Sequence, residues 1–182
     1  TIYGNAGINI INGGVGNDLL YGYGGNDQIY VDSASDRAFE AVGGGADRVF
    51  ASVSFALEAG QEIETLSTTN SAGVGAINLT GNTFNNIVYG NAGTNIIKGG
   101  LGNDILYGYG GSDFFVFDTA LNASTNRDTI GDFNAAADTI QLQNAIFTLL
   151  AATGVLAANL FKNLNLAAQD GDDAILYNDT TG

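Results

Sequence analysis

The sequence predicts an all-β chain, a right-handed parallel β-roll or β-solenoid with a C-terminal mixed cap that contains short helices. Three observations predict it. A nine-residue unit recurs in two sets, 27 glycines occur in a chain without a proline, and the units end on apolar triplets such as LLY, IIN and ILY. Such triplets favour short strands. With 45 % hydrophobic residues over 182 positions the chain can bury a core. The glycines therefore mark turns at fixed places and not a flexible linker.

The first set reads GNAGINIIN (4–12), GGVGNDLLY (13–21) and GYGGNDQIY (22–30). The second reads GNTFNNIVY (81–89), GNAGTNIIK (90–98), GGLGNDILY (99–107) and GYGGSDFFV (108–116). The sets match at an offset of 86, with 21 of 30 positions identical between 3–32 and 89–118. In each unit six glycine and small polar residues make a sharp turn, for which glycine allows positive φ. The last three residues make a strand. Two units complete one coil, so units two apart stack and facing residues are eighteen apart in sequence.

Residues 37–80 keep strand signals in VFASVSFAL (49–57), EIETLSTT (62–69) and AINLTGN (76–82), but lose the nine-residue beat. They predict a solenoid stretch with longer coils or a small packed sheet. Further on, NRDTIGDFNAAADTIQL (126–142) predicts two short strands around a turn. NAIFTLLAA (144–152) and LAANLFK (156–162) predict short helices, and DAILY (173–177) a final strand. The expected organisation is a first roll segment over 1–36, an irregular solenoid region over 37–80, a second roll segment over 81–117 and a cap over 118–182. The opening TIYGNAG reads as the end of a repeat already under way, so the chain is expected to be a piece of a longer protein.

The formal charge is −14, with 19 acidic against 5 basic residues. That balance argues against nucleic acid and against anionic membrane surfaces as partners. No apolar run is long enough to span a bilayer. Cys and His are absent, which removes the usual ligands of zinc, haem and iron–sulfur clusters and the Ser-His and Cys-His nucleophile arrangements. Hard oxygen donors remain, and they suit Ca²⁺ or Mg²⁺. The acidic residues recur with the repeat and do not converge from unlike positions, so no catalytic site is expected.

An aspartate at the sixth place of one unit faces the sixth residue of the unit stacked above it. Two carboxylates with turn carbonyls supply about six oxygens, a number that fits Ca²⁺. The spacing pairs Asp27 with Asn9, Asp104 with Asn86 and Asp113 with Asn95, each with one charge. Continuing the phase places Asp36 above Asp18 and Asn122 above Asp104. Asp18–Asp36 is thus the expected strongest site. The alternative for these Asp and Asn residues is that they cap turns by bonding their own backbone.

GGVGND and GGLGND resemble the calcium-binding nonapeptides of RTX (haemolysin-type) proteins, and residues 114–142 resemble the segment after the repeats in serralysin-like C-terminal domains. The resemblance implies Ca²⁺ as cofactor and Asp18, Asp27, Asp104 and Asp113 as its carboxylate ligands. The expected ligand set adds Asp36, the turn carbonyls of Gly13, Val15, Gly22, Gly24, Gly99, Leu101, Gly108 and Gly110, and weaker ligation by Asn9, Asn86 and Asn95. Asp128, with Asp132 and Asp138, resembles acidic positions of the family's post-repeat segment, where a solvated turn is the other reading. By the same resemblance the chain is a non-catalytic module of a protein secreted by a Gram-negative bacterium through a type I apparatus, folding on Ca²⁺ outside the cell. The alternative is a repeat unit of a cell-surface, surface-layer, adhesin or filament protein. Tyr21, Tyr23, Tyr107 and Tyr109 then offer an aromatic ladder for surface polysaccharide or for other copies of the chain. Tyr21 and Tyr107 are expected to pack between coils, Tyr23 and Tyr109 to be exposed.

Overall fold

The computed structural model describes residues 1–120, 122–143 and 145–147, together with the backbone of two short strands near the C-terminus. The chain divides into two compact units, Thr1–Gln141 and Leu142–Gly182. The larger is a parallel β-solenoid, and no helix occurs among the described residues.

Strands are numbered along the chain. One face of the solenoid is a seven-stranded sheet of β2 (Ile10–Asn12), β4 (Gln28–Val31), β6 (Arg48–Ala51), β8 (Thr65–Thr68), β10 (Ile87–Asn91), β12 (Ile105–Tyr109) and β14 (Thr129–Ile130). The odd-numbered strands of the solenoid form two sheets. One holds β1 (Ile2–Asn5), β3 (Leu19–Tyr23) and β5 (Arg37–Glu40). The other holds β7 (Phe55–Ala56), β9 (Leu79–Thr80), β11 (Ile96–Lys98), β13 (Phe114–Phe117) and β15 (Thr139–Leu142). The strand pairs of these three sheets are parallel, as stacking successive coils requires.

Within the repeats the register is eighteen: Ile2 faces Leu20, Ile10 faces Gln28, and Ile87 faces Ile105. Residues 37–80 continue the solenoid with coils of other lengths. Gln28 faces Arg48, Arg48 faces Thr65, and Thr65 faces Ile87, which are steps of 20, 17 and 22 residues. The even sheet is unbroken across them, with two steps longer and one shorter than eighteen.

The middle residue of each apolar triplet points inward. One column runs Ile11, Ile29, Val49, Leu66, Val88, Leu106 and Ile130, each facing the next across the sheet. All but Ile130 are buried. Leu20, Phe55, Leu79, Ile97 and Phe115 line the opposite wall. Tyrosines that end the triplets stack outside: Tyr3 on Tyr21 at 5.1 Å, Tyr21 on Phe39 at 4.4 Å, and Tyr89 on Tyr107 at 5.1 Å between ring centres. Tyr21 and Tyr107 thus pack between coils as expected.

The two strands expected around a turn in 126–142 are β14 and β15. In the smaller unit β16 (Phe161–Asn163) pairs in parallel with β17 (Ile175–Tyr177). The strand expected at DAILY is therefore present. Phe161 and Lys162, expected at the end of a helix, lie in a strand instead. The rest of LAANLFK and most of NAIFTLLAA lie outside the described residues.

Candidate metal centres

Polar side chains at the sixth place of each turn form ladders along the solenoid. The carboxylates of Asp27, Asp36, Asp104 and Asp113 each accept a hydrogen bond from the backbone of their counterpart in the coil below. The Asn9 N–H donates to Asp27 Oδ1 at 2.7 Å, Asp18 N–H to Asp36 Oδ1 at 2.9 Å, Asn86 N–H to Asp104 Oδ1 at 2.7 Å and Asn95 N–H to Asp113 Oδ1 at 2.8 Å. These are the eighteen-residue pairings expected from the spacing, and the register does extend to Asp36.

The ladder also continues where the repeat fails. Asp27 N–H donates to Asp47 Oδ1 at 2.7 Å, Asp104 N–H to Asp128 Oδ1 at 3.1 Å and Asp113 N–H to Asp138 Oδ1 at 3.0 Å. Those steps span 20, 24 and 25 residues. Each of the four repeat aspartates, and not Asp18 alone, therefore has a carboxylate in the coil above. Asn122 does not stand above Asp104. It accepts the N–H groups of Ser124 and Thr125 inside its own loop, and the six extra residues of that coil bring Asp128 into the ladder.

The second oxygens are more telling. Oδ2 of Asp18, Asp27, Asp104 and Asp113 is buried in each case without a hydrogen-bond partner. A buried carboxylate oxygen left so is costly, since native structures pair such atoms with protein, water or an ion. Each of these units opens on a glycine, Gly13, Gly22, Gly99 or Gly108, where a Cβ would run into that same carboxylate. Each also has positive φ at its second and fourth places: Gly14 and Gly16, Tyr23 and Gly25, Gly100 and Gly102, Tyr109 and Gly111.

The asparagine units are built differently. Asn9, Asn86 and Asn95 accept through Oδ1 the N–H of Asn5, Asn82 and Asn91 in their own turns, at 2.7, 2.8 and 2.9 Å. The side-chain amides of Asn86 and Asn95 donate to the Ile63 and Ile77 carbonyls. None of these units has a positive φ. Here the geometry is that of turn caps. Asp36 behaves in the same way: its Oδ2 accepts the N–H groups of Asp32 and Ser33 at 3.0 and 3.1 Å. The pair expected to be strongest therefore brings one free buried oxygen, from Asp18.

Sequence reasoning missed Glu40 and Asp47. Both are buried, and one oxygen from each lies within 4.8 Å of the others and of an Asp27 oxygen. The available signal was an acidic residue eighteen places after Gly22, where the pattern calls for glycine. Burial, reinforced by Asp47 and Asp27, raises the Glu40 carboxyl to about 7. Burial also raises Asp47 to about 6, Asp104 to about 7 and Asp113 to about 6, with Asp27, Asp128 and Asp138 respectively adding repulsion. Burial moves Asp128 in the same direction. Buried, mutually repelling acids with unpaired oxygens, and no nitrogen or sulfur donor among them, fit a hard divalent cation.

Residues 3–38 and 80–115 match the RTX calcium-binding nonapeptide repeat, in four copies. That repeat family binds Ca²⁺. No curated protein and no solved structure matches the chain. The RTX stretches contain Asp18, Asp27, Asp36, Asp104 and Asp113, whereas Glu40, Asp47 and Asp128 lie outside them. The matched repeats, stacked in a parallel solenoid, fit a Ca²⁺-binding β-roll module.

Proposed function

We propose that this chain is a non-catalytic, calcium-dependent β-roll module of a secreted bacterial protein, and that it folds on Ca²⁺ after export through a type I system. The observation that carries this reading is the set of buried, unpartnered Oδ2 atoms on Asp18, Asp27, Asp104 and Asp113. Their partners in each site are the carbonyls of Gly13, Val15, Gly22, Gly24, Gly99, Leu101, Gly108 and Gly110, with Asp128 completing the Asp104 site. The 1–36 and 81–117 segments are then the calcium-bearing rolls, 37–80 a solenoid linker between them, and 118–182 a serralysin-like cap.

Without a cation, a chain of charge −14 must bury several carboxylates together and order many glycines, and both oppose folding. Calcium supplies positive charge and coordination for the oxygens that the fold leaves unpaired. Because it binds the folded chain, it draws folding forward by mass action. Extracellular calcium modules have dissociation constants of about 10⁻⁴ to 10⁻³ M, which keeps such a chain unfolded in a calcium-poor cytosol. Circular dichroism during a calcium titration tests this. β structure should grow with millimolar Ca²⁺, and full β structure in EDTA, unchanged by the ion, would refute it.

A specific observation also favours a surface role. Tyr23 and Tyr109 hold φ of 74° and 69° and are half exposed, a conformation costly for bulky residues. Both copies carry the same feature, stacked on Tyr21 and Tyr89 respectively. Such paired aromatic faces suit the alternative of a surface or matrix repeat unit that meets polysaccharide or other copies of itself. Sedimentation of the calcium-loaded chain with and without polysaccharide tests it. A monomer that ignores the polysaccharide leaves the first reading alone.

A further inference from the structure

The repeat pattern accounts for Asp18, Asp27, Asp104 and Asp113, but it has no place for Glu40. Glu40 occupies the first position of its unit, where the repeat has Gly4, Gly22, Gly81, Gly90, Gly99 and Gly108. A side chain there normally collides with the sixth residue of the same turn. At Gly22, for example, a Cβ would lie 2.6 Å from Asp27 Oδ2.

Two additional residues remove the conflict around Glu40. The ladder step from Asp27 to Asp47 is twenty residues, against eighteen inside the repeats. Gly43 and Gly45, with φ of 78° and 152°, carry the longer turn round. The Gly44 N–H closes it on the Ala41 carbonyl at 2.9 Å, while the Gly44 carbonyl accepts from Gly25 N–H at 2.7 Å. Glu40 then fills the space beside Gly22, where a Cβ would meet Glu40 and Asp27 together.

The outcome is a cluster the fold does not neutralise. Asp27, Glu40 and Asp47 are exposed by only 1 %, 5 % and 1 %. Asp27 Oδ2, both Glu40 oxygens and Asp47 Oδ2 receive no hydrogen bond. Of the two arginines on neighbouring strands, Arg37 pairs with Glu58, and Arg48 bonds Ser67 and lies over the Phe50 ring. Among the described residues no ion pair reaches the cluster. A pocket lined by Tyr21, Tyr23, Phe39, Ala41 and Gln61 reaches the cluster's Glu40.

We propose that Asp27, Glu40 and Asp47 form a three-carboxylate calcium site additional to the nonapeptide pattern, and that it fills before the others. Calcium affinity rises with the number of charged ligands, and here all three carboxylates offer unpaired oxygens, whereas Asp36 spends both of its own on amides. Asp47 and Glu40 lie beyond the RTX match at 3–38. The site joins the turns before β4 and β6 to the end of β5, where eighteen-residue coils give way to longer ones. The inference rests on the calcium reading for the choice of ion, and its test separates the two.

The whole chain, stripped with EDTA, is titrated with Ca²⁺ by calorimetry and with Tb³⁺ by tyrosine-sensitised emission, since Tyr21 and Tyr23 line the pocket with Glu40. One tight ion per chain is expected ahead of a weaker class. Glu40→Gln should weaken the tight ion at least tenfold and leave the weaker class unmoved, and Asp47→Asn should do the same. Asp104→Asn should do the reverse. Glutamine keeps the shape of the side chain and removes an unpaired charge, so circular dichroism at 10 mM Ca²⁺ should match the parent. If both variants, folded by that criterion, bind their first ion as tightly as the parent, the proposal is overturned while the repeat reading stands. If the parent binds no Ca²⁺, both fall.

Discussion

Two glycine-to-alanine changes eleven residues apart in the second roll separate a glycine whose missing side chain makes room for a carboxylate from one whose missing side chain does not. At Gly99 an added Cβ would fall 2.7 Å from Asp104 Cγ and 2.8 Å from its Cβ. That side chain is 1 % exposed and has nowhere to retreat. Overpacking of this kind costs about 1–3 kcal/mol, which should appear at any calcium level that leaves the chain folded. The displaced carboxylate also loses its ion. At a free Ca²⁺ of 100 times the dissociation constant, that removes a further ~2.7 kcal/mol. At Gly110 the nearest atoms to a Cβ are Ala92 Cα and Cβ, both at 3.7 Å, and φ is not positive. Alanine there keeps the carbonyl and restricts the unfolded chain, so it should be neutral or stabilising by about 0.4–1 kcal/mol. Urea denaturation of both variants, at the lowest calcium level that still folds the chain and at saturating Ca²⁺, measures the four values. Equal losses for Gly99→Ala and Gly110→Ala, or a Gly99→Ala deficit independent of calcium, would refute the argument.

Acidity should act on the metal-free chain in an uncommon direction. Glu40 and Asp104 sit at about 7, and Asp47 and Asp113 at about 6, all above their unfolded values. The fold therefore binds protons more tightly than the unfolded chain, and stability in EDTA should rise as pH falls from 8 to 5 and be lost as pH climbs through 6 to 7. Calcium competes with those protons, so its apparent affinity should rise over the same climb; a metal-free chain more stable at pH 8 than at pH 5 would contradict this. Leu106→Ala, at a site 1 % exposed between Val88 and Ile130, should cost about 2–5 kcal/mol at saturating calcium, and a loss under about 1 kcal/mol would mean the inner column is not packed. Asp36→Ala strands the N–H groups of Asp18, Asp32 and Ser33 and should cost about 1–3 kcal/mol equally at low and at saturating calcium. Asp18→Asn should instead change only the calcium-dependent part, as paired denaturation curves would show.

The solenoid and its register were legible because both follow from a strict nine-residue period. Every repeat triplet with its middle residue inward is a strand, and Asn9 meets Asp27 as the spacing requires. The upper partners of Asp27, Asp104 and Asp113 were not legible, because coil length outside the repeats is set by how a loop bulges. Asp47, Asp128 and Asp138 arrive through two, six and seven extra residues that no period announces. Asp36 shows a second limit. Its position was right, but its oxygens are consumed by the amides of its own turn, and that competition is decided by local backbone angles which the one-letter pattern does not display.

Those angles divide the repeats into two kinds of turn, and the division follows a pair of residues. Where the second place is asparagine, at Asn5, Asn82 and Asn91, the sixth is asparagine too, φ stays negative, and the second residue's N–H is taken by the sixth side chain. The Oδ1 of the second residue in turn accepts from Gly7, Phe84 or Gly93. Such a turn is neutral and closes on itself. Where the second place is Gly14, Tyr23, Gly100 or Tyr109, φ is positive and the sixth is an aspartate with an orphaned oxygen. The amide oxygen in the first class is met by the chain itself, while the carboxylate oxygen in the second is met by nothing the chain provides. Each set opens with the self-closed kind and ends with two of the other, so the coil at 81–98 satisfies its ladder residues without a cation and the coil at 99–116 stacked on it does not. The proposed calcium dependence is consequently a property of individual coils, written in the second and sixth places together.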